Sequence, residues 1–332
     1  MHYPRAYLLS LIMVMFSFLG FSQETLPVYS DYLSDNIYLV HPSAAGIGDC
    51  GKVRITAQKQ WVNVSQAPSF QTISYNGQLG DKAGGGFIIY NDGNGYHNQI
   101  GAQLTYAYHL TLGGWKFNQL SLGFSFSAVS NSFESSGFDD PYAPSLGDEV
   151  LTKRGYVNAD LSMAYYYDAF YSYFTAKNLF VNDINQDDVL YEDHNLRNYL
   201  VNMGYYFGEN RYVQFEPSTM IKFYEASKEV FVDFNMKMYK PLDRAILWAA
   251  VSYRKSFNSS EVSELNYISP ILGANFGRMM MSYTYTQQVG KVLVDRSGFH
   301  QITVGFNLFC RKTRASACPN PNLKMPSVLR MQ

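Results

Sequence analysis

Apolar and polar residues alternate with a period of two through most of this chain, the pattern of a strand with one greasy and one wet face. From Gln119 to Asn131, Leu120, Leu122, Phe124, Phe126 and Ala128 alternate with Gln119, Ser121, Gly123, Ser125 and Ser127. Val157, Ala159, Leu161, Met163 and Tyr165 alternate with Asn158, Asp160, Ser162 and Ala164, and similar runs cover 230–238 and 301–308. The pattern predicts about fourteen strands of roughly 9–12 residues, the length a tilted strand needs to cross a bilayer. They fall near 52–61, 68–79, 84–92, 97–109, 119–131, 156–168, 170–178, 197–207, 212–223, 228–239, 244–254, 266–276, 279–288 and 299–309. Helical spacing occurs once, in Tyr29, Tyr32, Leu33 and Ile37 ahead of the first strand.

The connections carry a second signal. Those after odd-numbered strands read as the longer ones, with Ser132–Gly155 and Leu179–Leu196 the longest. Those after even-numbered strands read as mostly tight, as in Gly80-Asp81-Lys82-Ala83, around Asp168-Ala169, Gly208-Glu209-Asn210-Arg211 and Gly277-Arg278. Long loops on one rim and short turns on the other characterise a transmembrane antiparallel β-barrel. The polar face carries charges in mid-strand: Arg54, Asp160, Glu216, Lys222, Asp233, Lys237 and Arg254. A barrel turns them into its lumen, whereas a soluble sandwich, the competing all-β reading, turns them to solvent. The opposite face is rich in Tyr, Phe and Met. Tyrosines near strand ends, such as Tyr165-Tyr166-Tyr167, Tyr205-Tyr206, Tyr106 and Tyr108, are expected in interfacial girdles.

Composition narrows the picture. Lys plus Arg is 26 against 27 Asp plus Glu, so the electrostatic footprint of a nucleic-acid binder is missing. Tyr 28 and Phe 23 exclude a disordered chain, and three Cys exclude a disulfide-built scaffold. Arg5, the apolar stretch Ala6–Leu19 and the small residues of Gly20-Phe21-Ser22 predict a signal peptide cleaved before Gln23. The expected organisation is a signal peptide at 1–22 and a periplasmic or lumen-plugging segment at 23–50. A barrel at 51–309 and a basic periplasmic tail at 310–332 follow, both chain ends lying in the periplasm.

Few residues in the chain stand in a pattern that points to chemistry. The histidines lack metal-ligand spacing, no nucleophile elbow occurs, and Gly84-Gly85-Gly86 precedes a strand rather than a helix. No enzymatic activity, metal or cofactor is expected. The two long loops are acidic, through Asp139, Asp140, Asp148 and Glu149 in one and Asp183, Asp187, Asp188, Glu192 and Asp193 in the other. The tail is basic, with Arg311, Lys312, Arg314, Lys324 and Arg330. In a closed barrel of even strand number Cys50 and Cys310 flank the seam where first and last strands pair, which allows a disulfide between them. A bond involving Cys318, or none, remains open.

The sequence also resembles a known family. Val28-Tyr29-Ser30-Asp31-Tyr32, followed by Asn36 and by His41-Pro42-Ser43-Ala44-Ala45-Gly46, is similar to the opening of the PorP/SprF family of type IX secretion system membrane proteins. Gln60-Trp61 with Ala67-Pro68-Ser69, then Gly84-Gly85-Gly86-Phe87 and Asn91-Asp92-Gly93-Asn94-Gly95, resembles later family segments. His41 stands where the family usually has Asn. Motifs carry the resemblance from 28 to 125, and strand pattern carries it on to 309. The resemblance implies a barrel embedded in outer-membrane lipid that works with periplasmic components of the secretion machine. It further implies export or surface anchoring of a large adhesin, in some members for gliding motility. The alternative function is a passive channel or hydrophobic-solute transporter.

Overall fold

A computed structural model describes residues 32–60, 67–95, 97–113, 117–133, 152–180, 195–208, 213–257, 266–289 and 298–310. Alternation becomes strand at every predicted place: β1 Gly51–Gln60, β2 Ser69–Gln78, β3 Ala83–Asn94, β4 His97–Thr111, β5 Asn118–Phe133, β6 Thr152–Tyr167 and β7 Phe170–Lys177. They continue as β8 Asn198–Tyr205, β9 Gln214–Tyr224, β10 Val230–Pro241, β11 Ala245–Phe257, β12 Asn266–Phe276, β13 Met279–Val289 and β14 Phe299–Leu308. Each strand pairs antiparallel with its sequence neighbours, and β1 pairs with β14 from Gly51↔Leu308 to Gln60↔Phe299, closing the sheet into a barrel.

The barrel is inside-out with respect to a soluble fold. Leu104 is 67% exposed on the outer face while the adjacent Thr105 is 8% exposed. Ile55, Ile73, Phe124, Leu161, Phe234, Leu272 and Ile302 likewise point outward, and Arg54, Ser74, Ser125, Asp160, Asp233 and Thr303 point inward. A soluble sandwich buries its apolar face; this molecule buries its polar one, so the outer band requires lipid. No helix among the described residues is long and apolar enough to cross a membrane, and the strands take that role.

Two expectations need correction. The connection after β3 is a two-residue turn, because β3 and β4 stay paired out to Asn94↔His97 and Gly95 (φ 62°) turns the chain. On the opposite rim β8 ends at Tyr205 and β9 begins at Gln214, so the short-turn rim is not uniformly short. The tyrosines also divide. Tyr167, Tyr205, Tyr106 and Tyr108 face outward, but Tyr166 and Tyr206 face the lumen, since successive side chains of a strand point to opposite faces. The lumen holds the core. Tyr38, Leu39, Val40, Ala45 and Ile47 pack there against Tyr166, Tyr173, Leu200, Met220, Trp248 and Met280 of the wall.

Candidate functional site

The candidate site is the lumen and the chain segment 32–50 that lies in it. Two short 3-10 turns, Ile37–Leu39 and Pro42–Ala44, shape this segment. Pro42 opens the second turn, where its missing N–H is no loss. Asp35 takes a left-handed conformation (φ 60°) that short polar side chains tolerate, and Gly46 (φ 75°) and Gly48 (φ 107°) turn the chain toward β1. Its contacts run around the wall. Asn235 of β10 donates to the Tyr32 hydroxyl at 2.6 Å, and Lys237 donates to the Leu33 carbonyl at 2.7 Å. Asn36 reaches Ser74 of β2, and the Tyr38 hydroxyl donates to Thr105 of β4 at 2.9 Å. His41 Nδ1 meets Thr175 of β7 at 2.7 Å, and its ring stacks on Tyr173 with centroids 4.7 Å apart. Ser43 meets Ser162 of β6 at 2.8 Å, His109 of β4 meets the Ala45 carbonyl at 3.0 Å, and Gln78 donates to the Gly48 carbonyl at 2.8 Å.

Glycines give the segment its seat. A Cβ on Gly84 would strike the Ala45 carbonyl, and one on Gly123 would strike the backbone at Pro42-Ser43. A Cβ on Gly86 would lie 2.9 Å from the Tyr38 hydroxyl. The glycine run of β3 is therefore a place of close backbone approach, one of the uses of glycine inside a strand. A strand glycine facing an inward position was the available signal in the sequence.

Asp35 is a residue that sequence reasoning missed. Its carboxylate lies 2.8 Å from the Arg54 guanidinium and 3.2 Å from Lys52, both on β1. Arg54 is fully buried, donates also to Asn307 of β14 at 3.2 Å, and lies over Gly305. Burial pushes the Asp35 carboxyl up, but Lys52 and Arg54 outweigh it and hold the group well below the usual carboxylate range. Burial lowers His41 to about 3, with the Lys177 charge adding to the effect, so the ring is neutral.

The remaining mid-strand charges all line the lumen. Asp233 and Arg254 form a bidentate pair at 2.6 and 2.7 Å. Asp160 lies 4.0 Å from Lys177 and accepts from the Asn178 N–H. Glu216 accepts from Tyr171 at 2.6 Å and from Tyr239. Lys222 lies over the Tyr224 ring, and Lys237 lies over Trp248 as well as bonding Leu33. Of the family-like residues, Asn36, His41, Pro42, Ala45 and Gly46 belong to the lumen segment. Gln60 and Pro68 meet at the far end of the β1–β2 hairpin, the Gln60 N–H donating to the Pro68 carbonyl at 2.9 Å. Trp61, the acidic loop residues, Cys318, the tail and the proposed signal peptide lie outside the described residues. Cys50 and Cys310 are joined by a disulfide beside the β1–β14 pairing. Among the described residues no group of three or more His, Cys, Asp or Glu side chains is placed to hold a metal.

An apolar outer band, a polar inner wall and a chain segment seated in the lumen define a membrane-embedded barrel of the outer-membrane type. The CymD monoaromatic hydrocarbon channel has a similar structure, with a TM-score of 0.50 at 10% identity over 82% of this chain and 92% of that one. The translocator domain of autotransporter NalP from Neisseria meningitidis is similar at a TM-score of 0.36, 12% identity, and 85% and 96% coverage. At these identities the likeness to CymD is one of fold. No curated protein matches the chain. The chain belongs to the PorP/SprF family, whose model, described as type IX secretion system membrane protein PorP/SprF, matches residues 21–306.

Proposed function

We propose that this protein is a non-enzymatic outer-membrane component of a type IX secretion machine that helps export, or hold at the surface, a large adhesin or similar surface protein. The family match over 21–306 carries this reading. The seated segment 32–50 supports it, because a lumen filled by its own chain is poorly suited to steady passive flow. Both ends of the barrel lie on one rim, since Gly51 pairs with Leu308. We place that rim in the periplasm, where the tail and the segment before β1 meet the machine's periplasmic components. The loops around Ser135 and Asn185 then face the outside.

Deleting the gene should remove one or a few proteins from the cell surface and leave general membrane integrity intact. Unchanged surface proteins with impaired uptake of a solute would overturn the reading in favour of a passive channel. Epitope tags at Ser135 or Asn185 should be reached by antibody on intact cells. Labelling only after permeabilisation would reverse the orientation.

A further inference from the structure

The wall is not uniformly knit. At the β1–β14 seam ten residue pairs run without a break, and the disulfide and Arg54 reinforce it. The β8–β9 ladder is different. It runs from Asn198↔Tyr224 to Gly204↔Ser218 and stops, and one isolated bridge, Phe207↔Phe215, follows. Phe207 and Phe215 exchange both backbone hydrogen bonds, at 2.8 and 3.0 Å, so the polar groups of Phe215 point toward β8. Pro217 has the same parity and faces β8 as well, but it has no N–H to give to Tyr205. Proline within a sheet is normally confined to places where no ladder bond is needed. β7 and β8 are also short, at 8 residues each against 15 and 16 for β4 and β5.

Side chains inside the lumen bridge this gap. Tyr171 of β7 reaches across β8 to Glu216 of β9, and Tyr239 of β10 bonds the same carboxylate. The crossing depends on Gly204, where any Cβ would collide with the Tyr171 hydroxyl. Three strands, β7, β9 and β10, are thus stitched from inside across β8, at the level where the backbone ladder between β8 and β9 is interrupted. We propose that β8–β9 is the seam at which this barrel opens, and that Tyr171–Glu216–Tyr239 is the latch that keeps it shut. Parting these strands joins the lumen to the bilayer and frees two strand edges that an extended segment can pair with. Pro270 marks a second interruption of the same length, between β12 and β13, but there six ladder pairs follow the gap, against the one bridge at Phe207↔Phe215, and the Ser269 and Thr286 hydroxyls span it at 2.8 Å.

Amide hydrogen exchange of the full-length protein in lipid nanodiscs tests this, with heat-modifiable gel mobility as the check on folding. Amides of β8 and β9 should exchange faster than those of β4–β5 and of β12–β13. Tyr171→Phe should speed β8 and β9 by about tenfold, the effect of losing one hydrogen bond to a charged group, and leave β4–β5 unchanged. Pro217→Thr, which restores the donor, should slow β8 and β9 toward the β4–β5 rate, and this arm decides the matter if Tyr171→Phe does not fold. Equal protection of β8–β9 and β4–β5 in the wild type, fastest exchange at β12–β13, or an unchanged rate in Pro217→Thr would each overturn the proposal.

Discussion

Replacing Gly84 or Gly123 by Ala should unseat the lumen segment. In an ordinary strand, exchanging Gly for Ala stabilises by roughly 0.5–1 kcal/mol, because the unfolded chain loses freedom. At Gly84 the added methyl meets backbone on the opposite side, with the Ala45 carbonyl carbon at 2.7 Å and the Gly46 Cα at 2.9 Å. Backbone cannot swing aside as a flexible side chain can, and overpacking of this kind costs about 1–3 kcal/mol. β3 is folded whether or not the segment is docked, so only the overpacking bears on seating: about 1–3 kcal/mol against the docked state, a shift of roughly five- to 150-fold. The two sites press on neighbouring parts of the same segment, so their effects should not simply add. Gly155 is the control. A Cβ there has the Val129 carbonyl oxygen at 3.4 Å as its one close neighbour, so Gly155→Ala should be neutral or slightly stabilising. Purified variants in planar bilayers report the outcome: wild type and Gly155→Ala closed, Gly84→Ala and Gly123→Ala showing open current steps. If all four conduct alike, the glycines do not seat the segment and the reasoning fails.

Asp35→Asn should weaken the fold by about 2 kcal/mol, below the range for breaking a fully buried pair, because Asp35 keeps 33% of its side-chain exposure while Arg54 keeps none. In a thermal-unfolding cycle, Asp35→Asn with Arg54→Met should cost less than the two singles summed, and strict additivity would refute a coupling between Asp35 and Arg54. The unfolded His41 ring takes a proton near 6.5 and the folded one only near 3, so its contribution is complete above pH 6.5 and is lost as pH falls toward 3. From pH 8 to pH 5 that loss is about 2 kcal/mol, read as a drop in thermal midpoint that His41→Asn should flatten. Replacing Cys50 and Cys310 by Ser opens a link of sequence separation 260, for which the chain-entropy relation gives about 5.6 kcal/mol. The variant should unfold at lower temperature than wild type, and free thiols at both positions in protein from native membranes would remove the basis for that expectation.

The sequence by itself determined the strands and their faces. Alternation with a period of two survives any tertiary context, because a strand has only two sides; that Phe124 and Ser125 lie on opposite faces could be read before any fold was known. The inward placement of Arg54, Asp160, Glu216 and Asp233 followed from the same parity. Only the closed barrel decided which distant residues meet. Asp35 has no motif of its own, and it matters because closure brings β1 and β14 beneath it. Tyr166 and Tyr206, expected among interfacial rings, turned inward because register fixes the face of each residue in a tyrosine run. The roles of Gly84, Gly123 and Gly204 were equally hidden, since what a missing Cβ makes room for is a segment or a ring far away in the chain. Local pattern fixes which side a residue faces, and only three-dimensional closure fixes what it faces.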